Sequence, residues 1–134
     1  MIYVMDSSAM IALLRREPGH AAVRAILEDL DNTCYAHALN LCEVFYDFAR
    51  ASGAARAEQA IADLFRVNVI ERTDLDGVFW REVGRLKAVH RRVSLADCCA
   101  LTLTLRVGGA LVTSDHHELD ALAAAGVCHI NFFR

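Results

Sequence analysis

Apolar residues along this chain alternate between two textures. Short runs with β-branched character recur at Ile2–Met5, "TCYAH" (33–37), "VNVIE" (67–71), "ALVT" (110–113) and "VCHINF" (127–132), each of strand length. Between them lie longer stretches with helical spacing. "AMIALLRRE" follows Asp6-Ser7-Ser8 and breaks at Pro18-Gly19. "HAAVRAILEDL" puts Ala22, Ile26, Leu27 and Leu30 on one stripe, and "LNLCEVFYDFARASG" does the same with Leu41, Val44, Phe45 and Phe48 before a stop at Gly53. "AARAEQAIADLF", "DLDGVFWREVGRLKAVH", "LADCCALTLTLRV" (opened by Ser94, closed by Gly108-Gly109) and "HHELDALAAAG" (opened by Asp115) complete the helices. Strands alternating with helices predict a parallel sheet covered on both faces, an α/β three-layer domain. No repeat, low-complexity tract or linker divides residues 1–134, so a single domain is expected.

Composition sharpens this picture at two points. The apolar fraction of 55% exceeds the usual ~45–50%, which suggests a surface covered by a second copy or by another protein. A homodimer is the expectation. Five cysteines (Cys34, Cys42, Cys98, Cys99, Cys128), an odd number without a C-x-x-C pair, read as reduced and mostly buried. The start "MIYVMDSS" has no basic n-region, and no apolar run approaches the ~18 residues of a membrane span. A cytoplasmic protein without membrane contact is expected.

A net charge of −3 argues against a nucleic-acid partner until its distribution is considered. Setting aside Asp6, Glu43, Asp97 and Asp115 leaves +1, and thirteen of the fourteen basic residues are arginine, the better phosphate fork. Several cluster between Arg81 and Arg92 in "WREVGRLKAVHRR", which reads equally as a solvated helix face or a phosphate contact.

The four acids are the candidate chemistry. Asp6 and Asp115 each follow a predicted strand and precede a helix, and ligand sites of open parallel sheets lie at the carboxyl ends of strands. Each also has a plain structural reading. Asp6 and Asp115 are good N-caps, Asp115 with Glu118 has capping-box spacing, and Ser94 with Asp97 nearly so. Glu43 sits mid-helix with the like charge of Asp47 four residues on. If the four meet, two carboxylates about 5 Å apart repel by ~3 kcal/mol at an effective dielectric of 20, so some protonate or a divalent ion neutralises them. Oxygen ligands select Mg²⁺ or Mn²⁺ over zinc, and such an ion supports hydrolysis of a phosphodiester by water.

Rival chemistries fit less well. His116 and His117 are adjacent, so they diverge on a helix, and neither H-E-x-x-H nor a cysteine spacing for zinc is present. There is no G-x-S-x-G and no P-loop, and Cys98-Cys99 lies in an apolar helix. A phospho-acceptor signalling domain needs an acidic pair after the first strand, whereas Asp6 is single and the one lysine, Lys87, falls in a predicted helix. A catalytically idle RNA- or protein-binding module of the same fold is the other alternative.

Taken together, "YVMDSSAMIALL", "LNLCEVF", "VSLADCCALTLTLRVGGALVTSD" and "HHELDALAAAGVCHINFFR" resemble the PIN-domain nucleases, and within them the VapC-type toxins of bacterial toxin–antitoxin pairs. The resemblance implies an α/β/α sandwich with a central, mainly parallel sheet of four or five strands. It implies an RNA endonuclease with an antitoxin partner and an acidic pocket for Mg²⁺, with Mn²⁺ as a substitute. Asp6 and Asp97 match the direct metal ligands, Glu43 the helix glutamate, and Asp115 the fourth acid, which acts directly or through a bound water. Ser8 and Thr113 match hydroxyls that support the acids. Ser7 stands where many relatives carry threonine. His116 or His117 could touch substrate phosphate, with a surface histidine as the plainer reading of either, and Asp120 could add a further acid.

Overall fold

Five strands pair side by side, all parallel, in the order β3-β2-β1-β4-β5, where β1 is Ile2–Met5, β2 Thr33–His37, β3 Val69–Arg72, β4 Ala110–Thr113 and β5 Ile130–Phe132. The computed structural model describes every residue, Glu118 without its side chain. The capping-box relation of that side chain to Asp115 therefore lies outside what the structure describes. The helices that join the strands are α1 (Ser7–Arg15), α2 (His20–Glu28), α3 (Ala38–Ser52), α4 (Ala54–Arg66), α5 (Gly77–Val89), α6 (Leu95–Val107) and α7 (His116–Ala124). The three-layer α/β sandwich expected from the pattern is the fold.

The two-residue period of a strand divides the core. Met5 and Val112 face one apolar cluster, shared with Leu13, Val23, Val44 and Leu64 of α1 to α4. Their neighbours Val4 and Leu111 face the other, shared with Phe79, Val83, Leu101 and Leu119 of α5 to α7. Leu41, Val44 and Phe48 of the predicted stripe are buried, with Phe45 partly so. Helix α6 is buried on every side from Cys98 to Thr104, as a helix apolar all round should be. Its Thr102 and Thr104 hydroxyls donate back to the Cys98 and Ala100 carbonyls (2.8 Å each), which satisfies them inside the core. Cys34, Cys98, Cys99 and Cys128 are buried free thiols and Cys42 is exposed.

Helix boundaries differ from the pattern where tertiary contacts intervene. The segment from Asp74 is outside α5 because Arg72 (2.8 Å) and Arg106 (2.9 Å) draw the Asp74 carboxylate into ion pairs, leaving Asp76 to cap Phe79 N–H at 3.3 Å. The predicted clash of Glu43 with Asp47 is relieved because Arg15 holds Asp47 at 2.8 Å. Gly109 is required by close approach, since a Cβ there would lie 2.6 Å from the Ile2 carbonyl oxygen. That contact brings β4 against β1 in the register Tyr3↔Ala110, Met5↔Val112.

Candidate active site

The strand order reverses between β1 and β4: the chain builds outward from β1 through β2 to β3, then crosses back to place β4 and β5 on the other side. The loops leaving β1 and β4 diverge over that point, where open parallel sheets hold their ligands. Asp6 ends the first loop and Asp115 the second.

Asp6 is 2% exposed and is the N-cap of α1. Its Oδ1 accepts from the Ala9 N–H (2.9 Å) and the Ser8 hydroxyl (2.6 Å), and its Oδ2 from the Thr113 hydroxyl (2.5 Å). Both hydroxyls are held from behind: Ser8 Oγ accepts the Ser114 N–H (3.1 Å) and Thr113 Oγ1 the Asp115 N–H (3.1 Å). Every hydrogen in this relay has one direction, so the Asp6 carboxylate is fixed and the β1 and β4 loops are tied together. Ser8 and Thr113 thus hold the Asp6 carboxylate from two sides.

The other acids arrive on helices. Asp97 lies in the first turn of α6, its N–H capped by the Ser94 hydroxyl at 3.1 Å. Glu43 is on α3, half-buried, with Oε1 buried and without a hydrogen-bond partner. Asn40, one turn earlier, is fully buried; its amide donates weakly (3.5 Å) to the Ala96 carbonyl, beside Asp97, while Oδ1 has no partner. Asn40 links the helix carrying Glu43 to the helix carrying Asp97. Sequence reasoning passed over it, although its i, i+3 spacing from Glu43 places both on one helix face. His37 is a second overlooked residue: buried, it accepts the Leu39 N–H on Nδ1 (3.1 Å) to cap α3, with Nε2 on the Asp74 carbonyl (2.8 Å).

Electrostatics show that the four acids share one neighbourhood. Burial pushes the Asp6 carboxyl above the ordinary carboxylate range; its three donors pull it back in part, and Asp115 pushes it further. Burial also raises Glu43, with Asp6 adding to the effect and Ser7 opposing it. Asp97 rises from 3.8 to about 7, first through burial, then through the charge of Asp6, with Asp115 and Glu43 contributing. Perturbed acids gathered at the carboxyl edge of a parallel sheet make this the candidate site.

The donor chemistry fits a hard divalent cation: four carboxylates close enough to act on one another's charge, among them a buried Glu43 oxygen without a hydrogen-bond partner. Among the described residues no three His, Cys, Asp or Glu side chains already form a ligand group. Mg²⁺ keeps several waters and takes one or two carboxylates directly, so oxygen donors of this kind suit it.

Neighbouring candidates divide. His116 stacks on Phe132 (centroids 4.1 Å apart), with Nδ1 on Asp120 (2.9 Å) and Nε2 on the Arg134 carbonyl (2.7 Å). Both ring nitrogens are engaged, so His116 ties Asp120 to β5 and Arg134, and Asp115 is near enough for its charge to act on the ring. His117 lines a separate cleft with His90, Arg91 and Arg92. In the basic run, Arg81 lies over Trp80 and Arg85 pairs with Glu82.

The whole chain superimposes on solved structures of low sequence identity. VapBC2 of Rickettsia felis, bound to a DNA fragment from its promoter, matches with a TM-score of 0.74 at 14% identity over 98% of each chain. VapBC-1 of nontypeable Haemophilus influenzae matches at 0.74 and 17% identity over 99% of this chain and 98% of that one. VapC20 of Mycobacterium tuberculosis, a sarcin–ricin loop cleaving toxin, matches at 0.64 and 16% identity, over 83% and 87%. Among curated proteins none matches the sequence. The PIN domain family model matches residues 3–125. With that match spanning β1 to the end of α7, the chain belongs to the PIN domain family.

Proposed function

We propose that this protein is a Mg²⁺-dependent endoribonuclease and the toxin of a type II toxin–antitoxin pair, working in the cytoplasm. One observation carries the reading. Four acids from distant parts of the chain converge, and Asp97 is pushed up to about 7 by burial and by Asp6. A fold that served only as a scaffold gains nothing from that arrangement, which opposes folding once the groups ionise. The VapC-type fold likeness supports the toxin assignment and the antitoxin partner.

Asp6 and Asp97 would hold the ion directly, with Glu43 and Asp115 completing the shell directly or through water. Mg²⁺ bound there supplies a water of lowered pKa and charge support at the phosphodiester. The chain's own part is positional. Ser8 and Thr113 keep both Asp6 oxygens oriented, α6 presents Asp97 from a rigid buried helix, and Glu43 brings an unpartnered carboxylate oxygen over the sheet edge. The apolar excess finds an outlet in exposed Leu39, Tyr46, Leu75, Val78, Leu95 and Leu105, which supports a homodimer or antitoxin-covered face.

The test is cleavage of RNA in Mg²⁺ by the parent and by Asp6→Asn and Asp97→Asn proteins shown to be folded by circular dichroism. Loss of cleavage in both variants is expected, together with growth arrest on expression of the parent alone. Variants that cut RNA as the parent does overturn the assignment.

A further inference from the structure

Four converging carboxylates repel the phosphates of a substrate strand, so some other surface has to bring the strand in. We infer that the cleft between the α5–α6 turn and α7 is a subsite for the phosphate backbone of single-stranded RNA, flanking the scissile bond. It has a volume of about 310 Å³ and is lined by His90, Arg91, Arg92, His117, Ala121 and Leu122. This inference rests on the reading that the acids cut RNA.

Three observations place it there. The first is position. One wall leads through Val93 into Ser94 and Asp97 of α6, and the other carries His117, two residues after Asp115, so along the chain both walls continue into segments that bear the acids. The second is charge. Arg15, Arg24, Arg50, Arg66, Arg72, Arg85, Arg106 and Arg134 are each paired with a carboxylate. Arg91 and Arg92 are exposed, and among the described residues neither side chain has an ion pair, hydrogen bond or ring contact. The third is rigidity. Lys87, the only lysine, donates from Nζ to the Arg91 carbonyl (2.9 Å) and the Val93 carbonyl (2.8 Å), and Val93 N–H closes on the His90 carbonyl at 3.0 Å. Two uncompensated guanidinium forks thus project from a pinned turn, and His117 comes from the first turn of α7, the positive end of its dipole. Other basic surface does not compete. Arg16, Arg24 and Arg66 border a cavity that also holds Asp63, and Arg66 lies just before β3, at the opposite edge of the sheet from the acids.

The test is binding of mixed-sequence, fluorescently labelled 20-nucleotide single-stranded RNA in EDTA, read by anisotropy at 50 and 200 mM salt. The proteins are the parent, Arg91→Ala/Arg92→Ala, and Arg24→Ala/Arg66→Ala, which removes equal charge at the far edge. The cleft variant is expected to bind about ten-fold more weakly at 50 mM salt. Losing two phosphate contacts lowers the salt slope by ~1.4, so the parent's affinity falls roughly seven-fold more across that range. The far-edge variant is expected to follow the parent. Equal weakening in both variants, or none in the cleft variant, overturns the subsite. Cleavage of the same RNA by the parent in Mg²⁺ isolates the underlying reading. A parent that cleaves while the cleft variant binds normally sinks the subsite alone; a parent that neither binds nor cleaves sinks both.

Discussion

Replacing Asp97 by asparagine should make the protein more stable at neutral pH, which is unusual for a half-buried polar residue at the heart of a fold. Raising its carboxyl from 3.8 to about 7 corresponds to a penalty of ~4 kcal/mol carried by the folded state once the group is ionised. Partial solvent exposure screens that figure, and losing a charge from the first turn of α6 gives back ~0.5–1 kcal/mol of dipole stabilisation. A net gain of about 1–2 kcal/mol remains, or roughly 4–8 °C in Tm for a chain of this length. The sign is fixed by linkage. Between pH 4 and 7 the folded parent holds a proton that the unfolded chain has released, so its stability declines as pH rises through that window and levels off above it. Asp97→Asn lacks this component, so its advantage should grow from pH 5 to pH 8. Urea unfolding at both pH values, with and without Mn²⁺, measures the effect. Mn²⁺ should raise the parent's stability and close the gap, because only the parent keeps the full carboxylate set. If Asp97→Asn is less stable than the parent at pH 8 without metal, or if the difference between them does not change with pH, the mutual repulsion of the acids is not as described.

Thr113→Val removes the donor on Asp6 Oδ2 and leaves a buried charged acceptor unmet, so urea unfolding should show a loss of about 1–3 kcal/mol at pH 8 and less at pH 5, where Asp6 is closer to protonation. A pH-independent loss would mean the hydroxyl serves packing alone. The two glycines Gly109 and Gly84 should respond to alanine with opposite signs. A Cβ at Gly109 meets the Ile2 carbonyl oxygen at 2.6 Å, so the thermal midpoint should fall by an amount equivalent to more than about 2 kcal/mol. At Gly84, inside α5 with open space around it, alanine should stabilise by ~1 kcal/mol.

Local order was legible in the chain because its causes lie within a few residues of each other. The run "TCYAH" is β2 to the residue, Gly53 does end α3, and the Ser94 hydroxyl does cap Asp97 N–H. Alternation of strand and helix was enough for the three-layer fold, since a strand buried on both faces leaves helices nowhere else to go. Recognising the acids depended on the family resemblance as well, because each of them is also a good cap or an ordinary surface charge when taken alone.

Tertiary structure decided whatever depends on residues far apart in sequence. The order β3-β2-β1-β4-β5 sets the reversal point between β1 and β4, and the β1–β4 register puts Thr113 beside Asp6, 107 positions away. Only that packing tells apart Arg106, drawn to Asp74 and Asp76, from Arg91 and Arg92, or places His116 on Phe132 and Asp120 while His117 beside it lines a cleft. Sequence carries the pattern of burial, because hydrophobic period acts locally. Which charges end up sharing a dry pocket is settled by how the sheet is threaded, and burial then gives those charges their altered chemistry.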